Sequence, residues 1–174
     1  PGKASRETVA EWVKQTGAEN LPNLVFVDSE EYLSSYELIQ RSKFVMVYNS
    51  TIGLEASLMG AAVLCAGRAR FTQLPMVFFP ATQFEYHRQV EQMLSANELQ
   101  TPPEFKRNAR RFLYYQLYRV SLPLEDLLQE DGIWRGYVRL KPGISWQDLL
   151  PEYSPTLKVA IEGILYAQPF ELDA

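Results

Sequence analysis

The stretch that most constrains this chain runs from Phe44 to Gly60. An apolar run over 44–48 ends in small polar residues, and a helix-like segment then continues until Gly60. This order predicts a β-strand that turns tightly into a helix over 52–59. In a parallel α/β sheet, such turns lie at the carboxyl ends of the strands, where ligands bind. The stretch therefore predicts a parallel α/β fold with a candidate binding site at this turn.

Further strands and helices alternate along the first two thirds of the chain. Strands are predicted over 24–27, 62–66 and 76–79, because each is a short apolar run bounded by turn residues. Helices are predicted over 5–15, after 34, over 83–96 and from the cap at Thr101 to about 120. Capping-box patterns precede the last three of these helices at Ser34–Glu37, Thr82–Glu85 and Thr101–Glu104. Such alternation predicts a parallel sheet with helical crossovers.

The last third of the chain differs in composition and in its predicted elements. It contains more proline and glycine, a candidate edge strand or extended arm over 137–140, a short helix over 145–150 and a helix opened by Ser154 and Pro155. We therefore divide the chain into an α/β domain over 1–120 and a mostly helical extension over 121–174, which we expect to pack on that domain. The first residues begin with neither methionine nor a strand, so the sequence reads as a piece whose earlier part is missing.

Composition excludes several classes of function. The formal net charge is −4, so bulk charge gives no reason to expect nucleic acid as a partner. With one cysteine and one histidine, a structural metal site is not expected. No membrane span or signal peptide is visible, so the cytoplasm is the expected location. Basic residues on the helix predicted after Thr101 are expected to form a solvated face; the alternative is a patch for an anionic substrate or the inner face of the membrane.

The turn after Tyr48 carries side chains suited to a nucleotide. Ser50 and Thr51 can cap the helix or bind phosphate, and Gly53 lets a phosphate come close to the backbone. Glu55 in the first turn can accept hydrogen bonds from ribose hydroxyls. The ordinary alternative is that the hydroxyls only cap the helix and the carboxylate only complements its dipole.

Three polar segments are expected to meet at one crevice, because each follows a predicted strand. They are 28–36, 49–55 and 67–71. In the third segment, Arg68 or Arg70 can pair with phosphate or can simply be a surface charge. No Ser-His-Asp set is evident, and we interpret His87 as a partly exposed helix residue.

Here the sequence resembles a known group of proteins. The residues that carry the resemblance are Ser34-Ser35-Tyr36-Glu37-Leu38-Ile39, Tyr48-Asn49-Ser50-Thr51-Ile52-Gly53-Leu54-Glu55-Ala56 and Ala66-Gly67-Arg68-Ala69. They are similar to the carboxy-terminal domain of bacterial capsule and surface polysaccharide biosynthesis glycosyltransferases of the GT-B type. The resemblance implies a Rossmann-like parallel sheet with flanking helices, its first strands missing, followed by a helical tail.

The resemblance also implies roles for individual residues. Donor binding would fall to Ser34, Ser35, Tyr36, Asn49, Ser50, Thr51, Gly53, Glu55, Gly67 and Arg68. Within this set, Ser50, Thr51 and Gly53 would hold the donor phosphate, and Glu55 would hold the ribose. No metal or other cofactor is implied, because the nucleotide sugar is a substrate. In this family the last residue of the turn after Gly67 is often tyrosine, and here it is Phe71, which lacks that hydroxyl.

Several partners and alternatives follow from this interpretation. The expected partners are a nucleotide sugar, a polysaccharide or lipid-linked acceptor, and the amino-terminal domain that would supply a catalytic base. Without that domain, the chain alone should not catalyse sugar transfer. Two alternatives remain open: a polyol-phosphate transferase of the same fold, and a non-catalytic scaffold of a polysaccharide assembly complex. A sheet without its first strands would expose an edge, so we expect a homodimer contact, a swapped element or reduced stability.

Overall fold

Two short parallel strands, β1 (Val45–Val47) and β2 (Val63–Cys65), form the centre of the fold. The structure is a computed structural model that describes residues 7–28, 30–133 and 136–171. Its helices are α1 (Val9–Thr16), α2 (Ser35–Arg41), α3 (Ile52–Met59), α4 (Gln83–Ser95), α5 (Pro103–Tyr118) and α6 (Pro155–Tyr166). A separate antiparallel pair joins β3 (Leu128–Glu130) to β4 (Val138–Leu140). The chain is therefore a mixed α/β protein.

Strand β2 is buried on both faces, and its alternating side chains divide the core. Val63 and Cys65 point into a cluster that contains Leu54 of α3 and Ala109 of α5. Leu64 points the other way, into a smaller cluster with Met93 of α4. Because successive side chains of a strand face opposite sides, one short strand can hold helices against both faces. This arrangement explains why β2 is apolar throughout, as a buried parallel strand must be.

The sheet continues beyond β2 by a single residue. Phe78 pairs with β2 in parallel, its N–H donating to the carbonyl of Val63 at 2.8 Å and its carbonyl accepting from the N–H of Cys65 at 2.9 Å. The strand predicted over 76–79 is thus present only as this bridge. Since Phe78 lies on the far side of β2, β1 forms the edge of the sheet within the described part of the chain.

The prediction of a buried strand over 24–27 is wrong. Val25 is 87% exposed, and the segment has no ladder partner among the described residues. Four apolar residues between turn signals are enough to suggest a strand, but a strand also needs a neighbouring backbone to bond. The segment over 28–36 therefore does not follow a strand, although it does lead into α2.

Some of the predicted helix starts and ends near the predicted site are confirmed, and one predicted capping box is not. Helix α3 has the predicted bounds and ends at Gly60, which takes the left-handed conformation with φ 95°. Helix α4 begins with the predicted capping box, since Thr82 and Glu85 bond each other's backbone N–H groups. The predicted box at Ser34 is wrong, because the side chain of Ser34 makes no capping bond within the described ranges.

Two further helix starts differ from prediction. Helix α1 begins at Val9, capped by Thr8, and the predicted start at residue 5 lies outside the described residues. Helix α5 begins at Pro103 with Pro102 at the cap position, so the predicted capping box at Thr101 is wrong. Proline suits the first helical position because its missing N–H would have no helical partner there.

The segment after α5 contains more strand than expected. The edge strand predicted over 137–140 is confirmed as β4, but its partner β3 was not predicted. The short helix predicted over 145–150 is a 3₁₀ turn over Gln147–Leu149, and α6 begins after Ser154, whose hydroxyl caps it. Glu171 ties the end of the described chain to α5 by accepting from the Tyr115 hydroxyl at 2.8 Å and pairing with Arg119 at 3.3 Å.

Candidate functional site

The turn between β1 and α3 is closed by its own backbone. The N–H of Gly53 donates to the carbonyl of Ser50 at 3.0 Å, and the N–H of Leu54 donates to that of Thr51 at 2.9 Å. The hydroxyl of Ser50 also accepts weakly from the N–H of Ile52 at 3.5 Å. The side chains of Ser50 and Thr51 are exposed, so their hydroxyls, rather than the bonded N–H groups of Gly53 and Leu54, are accessible at this turn.

A hydrogen bond joins the first turns of α2 and α3. The hydroxyl of Tyr36 donates to Oε2 of Glu55, which is half-buried. This bond, reinforced by the negative charge of Glu55, raises the pKa of Tyr36. Two segments that the sequence placed in one site, separated by 19 residues, therefore meet at the amino end of α3. Ser34 and Ser35 are exposed beside them.

Packing accounts for the small size of Gly53. A Cβ atom at this position would lie 2.9 Å from Cγ2 of Val47 and 3.2 Å from Cζ of Phe71. Gly53 is buried, and its Cα faces the core under the turn. Close approach of a phosphate, the role that the sequence suggested for Gly53, stays a prediction. The contacts with Val47 of β1 and with Phe71 are enough by themselves to require glycine here.

Gly67 holds the end of β2 against the end of β1. Its N–H donates to the carbonyl of Tyr48, and a Cβ atom here would lie 2.9 Å from both that carbonyl oxygen and Cζ of the Tyr48 ring. Sγ of Cys65 donates to the same carbonyl at 3.1 Å. The Tyr48 ring therefore lies directly over a glycine, and its backbone is held by two donors.

The parallel pairing of β1 and β2 places two of the predicted segments at one edge. Val47 and Cys65 are register partners, so the turns that follow them emerge side by side. Residues 49–51 lie in the first of these turns, and residues 67 and 68 lie in the second. Asn49 and Arg68 are exposed. The structure thus brings together the second and third predicted segments through the sheet, and the first through Tyr36.

Sequence reasoning missed a hollow at the same edge. It has a volume of about 350 Å³ and is lined by Tyr48, Ala66, Pro80, Ala81, Thr82, Gln83, Tyr86 and His87. Partial burial raises the pKa of Tyr86, and the His87 ring lies 6.4 Å from that of Tyr86. The signal that points to this hollow is the capping box at Thr82, because it sets the start of α4 shortly after Phe78, the residue that pairs with β2.

The remaining candidates for chemistry are structural or absent. Cys65 is fully buried, and desolvation raises the pKa of its thiol, so it is an unreactive core residue. No group of three or more metal-ligating side chains occurs in the described ranges. Within those ranges, no helix combines the length and apolarity needed to cross a bilayer.

Comparison of the chain with known protein families, with curated proteins and with solved structures finds no match.

Proposed function

We propose that this chain is the donor-binding part of a glycosyltransferase that builds capsule or other surface polysaccharide. The observation that carries the proposal is the bond from Tyr36 to Glu55. It joins the two most specific motifs of the resemblance at the amino end of α3, beside the turn that bears Ser50 and Thr51. The fold we propose is correspondingly the Rossmann-like carboxy-terminal half of a GT-B enzyme.

Each polar group has a role in this proposal. The hydroxyls of Ser50 and Thr51, with the guanidinium of Arg68, bind the donor diphosphate. Glu55 accepts hydrogen bonds from the ribose, and Tyr36 holds its carboxylate in place before the donor arrives. In the reaction, an acceptor hydroxyl oxygen bonds to the anomeric carbon, its proton passes to the catalytic base expected on the amino-terminal domain, and the bond from that carbon to the diphosphate breaks. Donors aimed at the departing diphosphate stabilise the charge that develops on it.

Isothermal titration calorimetry with a panel of nucleotides tests the proposal. The panel contains UDP-glucose, UDP-N-acetylglucosamine, GDP-mannose and CDP-glycerol, with UDP, GDP and CDP. We expect the chain to bind at least one nucleotide sugar. Glu55→Ala should weaken that binding at least about tenfold, because a charge-assisted hydrogen bond to a ribose hydroxyl contributes about 1.5–3 kcal/mol.

Glu104→Ala is the matched control. Glu104 is also a half-buried acid in the first turn of a helix. It lies near the opposite end of α3. Nζ of Lys106, in the same turn of α5 as Glu104, is 3.6 Å from the point that a Cβ atom on Gly60 would occupy. This variant should bind like the parent chain. Equal affinity of the Glu55→Ala variant and the parent would contradict the proposal.

The panel also separates the two alternatives. Tight binding of CDP-glycerol without binding of any nucleotide sugar would replace the glycosyltransferase by a polyol-phosphate transferase. Binding of no nucleotide at all, in calorimetry and in thermal melting, would favour a scaffold.

A further inference from the structure

We infer that the hollow beside Tyr48 receives the sugar ring of the donor, with the Tyr48 ring as the surface on which that sugar packs. This inference rests on the proposed nucleotide-sugar function and adds the position of the transferred group. It assigns a binding role to Tyr48, Thr82 and His87.

The first argument is that Tyr48 is exposed and yet held in place. It is 72% exposed, but its carbonyl accepts from Gly67 and Cys65 and its ring covers the Cα of Gly67. An exposed aromatic ring that is already ordered loses little entropy when a ligand packs on it. Any side chain at position 67 would displace the ring, so glycine there keeps this surface flat and accessible.

The second argument is the chemistry of the lining. The hollow combines the aromatic rings of Tyr48 and Tyr86 with polar side chains from Thr82, Gln83 and His87. Its volume of about 350 Å³ lies within the usual range for small-molecule sites. A sugar ring presents C–H groups on one face and hydroxyls at its rim, so it needs an aromatic surface bordered by hydrogen-bonding groups.

The third argument is the order of groups along the sheet edge. The ribose site proposed at Glu55 and Tyr36 joins α3 to α2, whereas the Tyr48 ring packs on Gly67 at the end of β2. Ser50 lies between Tyr48 and Glu55 in the chain, two residues after the first and five before the second. In this inference, a diphosphate held at Ser50 extends its ribose toward Glu55 and its sugar toward the hollow beside Tyr48.

The test compares each nucleotide sugar with its own nucleoside diphosphate. In calorimetry on the full chain, Tyr48→Ala should weaken binding of the nucleotide sugar about tenfold, the effect of losing one ordered aromatic contact. Binding of the matching UDP, GDP or CDP should change by less than about twofold. Tyr48→Phe keeps the ring and should bind the nucleotide sugar nearly as well as the parent.

Tyr153→Ala serves as the matched control, because Tyr153 is also 72% exposed and lies outside the hollow. It should leave both affinities unchanged. Equal loss for the nucleotide sugar and the diphosphate in Tyr48→Ala would place the nucleotide, not the sugar, in the hollow and overturn the inference. Unchanged binding of the nucleotide sugar would overturn it as well, while leaving the proposed function in place. If the parent binds no nucleotide, the proposed function fails and the inference fails with it.

Discussion

The hydroxyl of Ser57 connects α3 to the segment that leads into Phe78, the residue that pairs with β2. Ser57 lies on α3, and its Oγ donates to the carbonyl of Met76 at 2.6 Å. Both residues are buried, Ser57 at 2% exposure and Met76 at 0%. This bond satisfies a carbonyl that water cannot reach, two residues before Phe78 pairs with β2.

Replacing Ser57 by alanine should lower the free energy of unfolding measurably. Leaving a buried carbonyl without a donor costs about 1–3 kcal/mol. The higher helix propensity of alanine offsets about 0.5 kcal/mol of that loss. The net decrease is therefore about 0.5–2.5 kcal/mol, which corresponds to a fall in Tm of about 1–10 °C for a chain of this size.

Urea unfolding and calorimetric melting of Ser57→Ala and Ser95→Ala provide the measurement. Ser95 is the matched control, because its hydroxyl also donates to a backbone carbonyl, that of Glu91, at 2.6 Å, but in an exposed position. Its replacement should change stability by less than about 0.5 kcal/mol, since water replaces the lost bond. If both variants unfold at the same urea concentration, the reasoning from burial is refuted.

Two further predictions concern the turn of the candidate site. Gly53→Ala should destabilise the chain by about 1 kcal/mol in urea unfolding, because overpacking against Val47 and Phe71 outweighs the gain in helix propensity; a stabilised variant would mean that the glycine serves only a ligand. The bond from Tyr36 to Glu55 should be intact below the ordinary tyrosine pKa of about 10 and be lost as pH rises through the raised pKa of Tyr36. Glu55→Gln should lower that pKa toward its ordinary value in ¹³C-tyrosine NMR, and an unchanged titration would disprove the coupling.

Local signals predicted the elements around the site well. The apolar run, the small polar turn and Gly60 are all contained within one stretch, so α3 appears with the predicted bounds. The capping box of Thr82 and Glu85 likewise needs no distant partner. Strand β2 could be read as buried because it is apolar at every position.

Signals that require a distant partner were less informative. The segment over 24–27 has the composition of a strand but no neighbouring backbone, and β3 forms because β4 pairs with it, although its own residues are mostly polar. The capping-box patterns at Ser34 and Thr101 are present in the sequence, but Ser34 makes no capping bond and Pro102, not Thr101, occupies the cap position of α5.

For the candidate site, the residue types that follow β1 and β2 can be read from the chain alone, because turn chemistry and strand ends are local properties. Which of these residues meet depends on the packing of the folded chain. The bond from Tyr36 to Glu55, the packing of Tyr48 on Gly67 and the hollow closed by the start of α4 each join residues that are distant in the chain. Such contacts depend on how helices and strands pack, and packing is set by the whole core rather than by any one stretch.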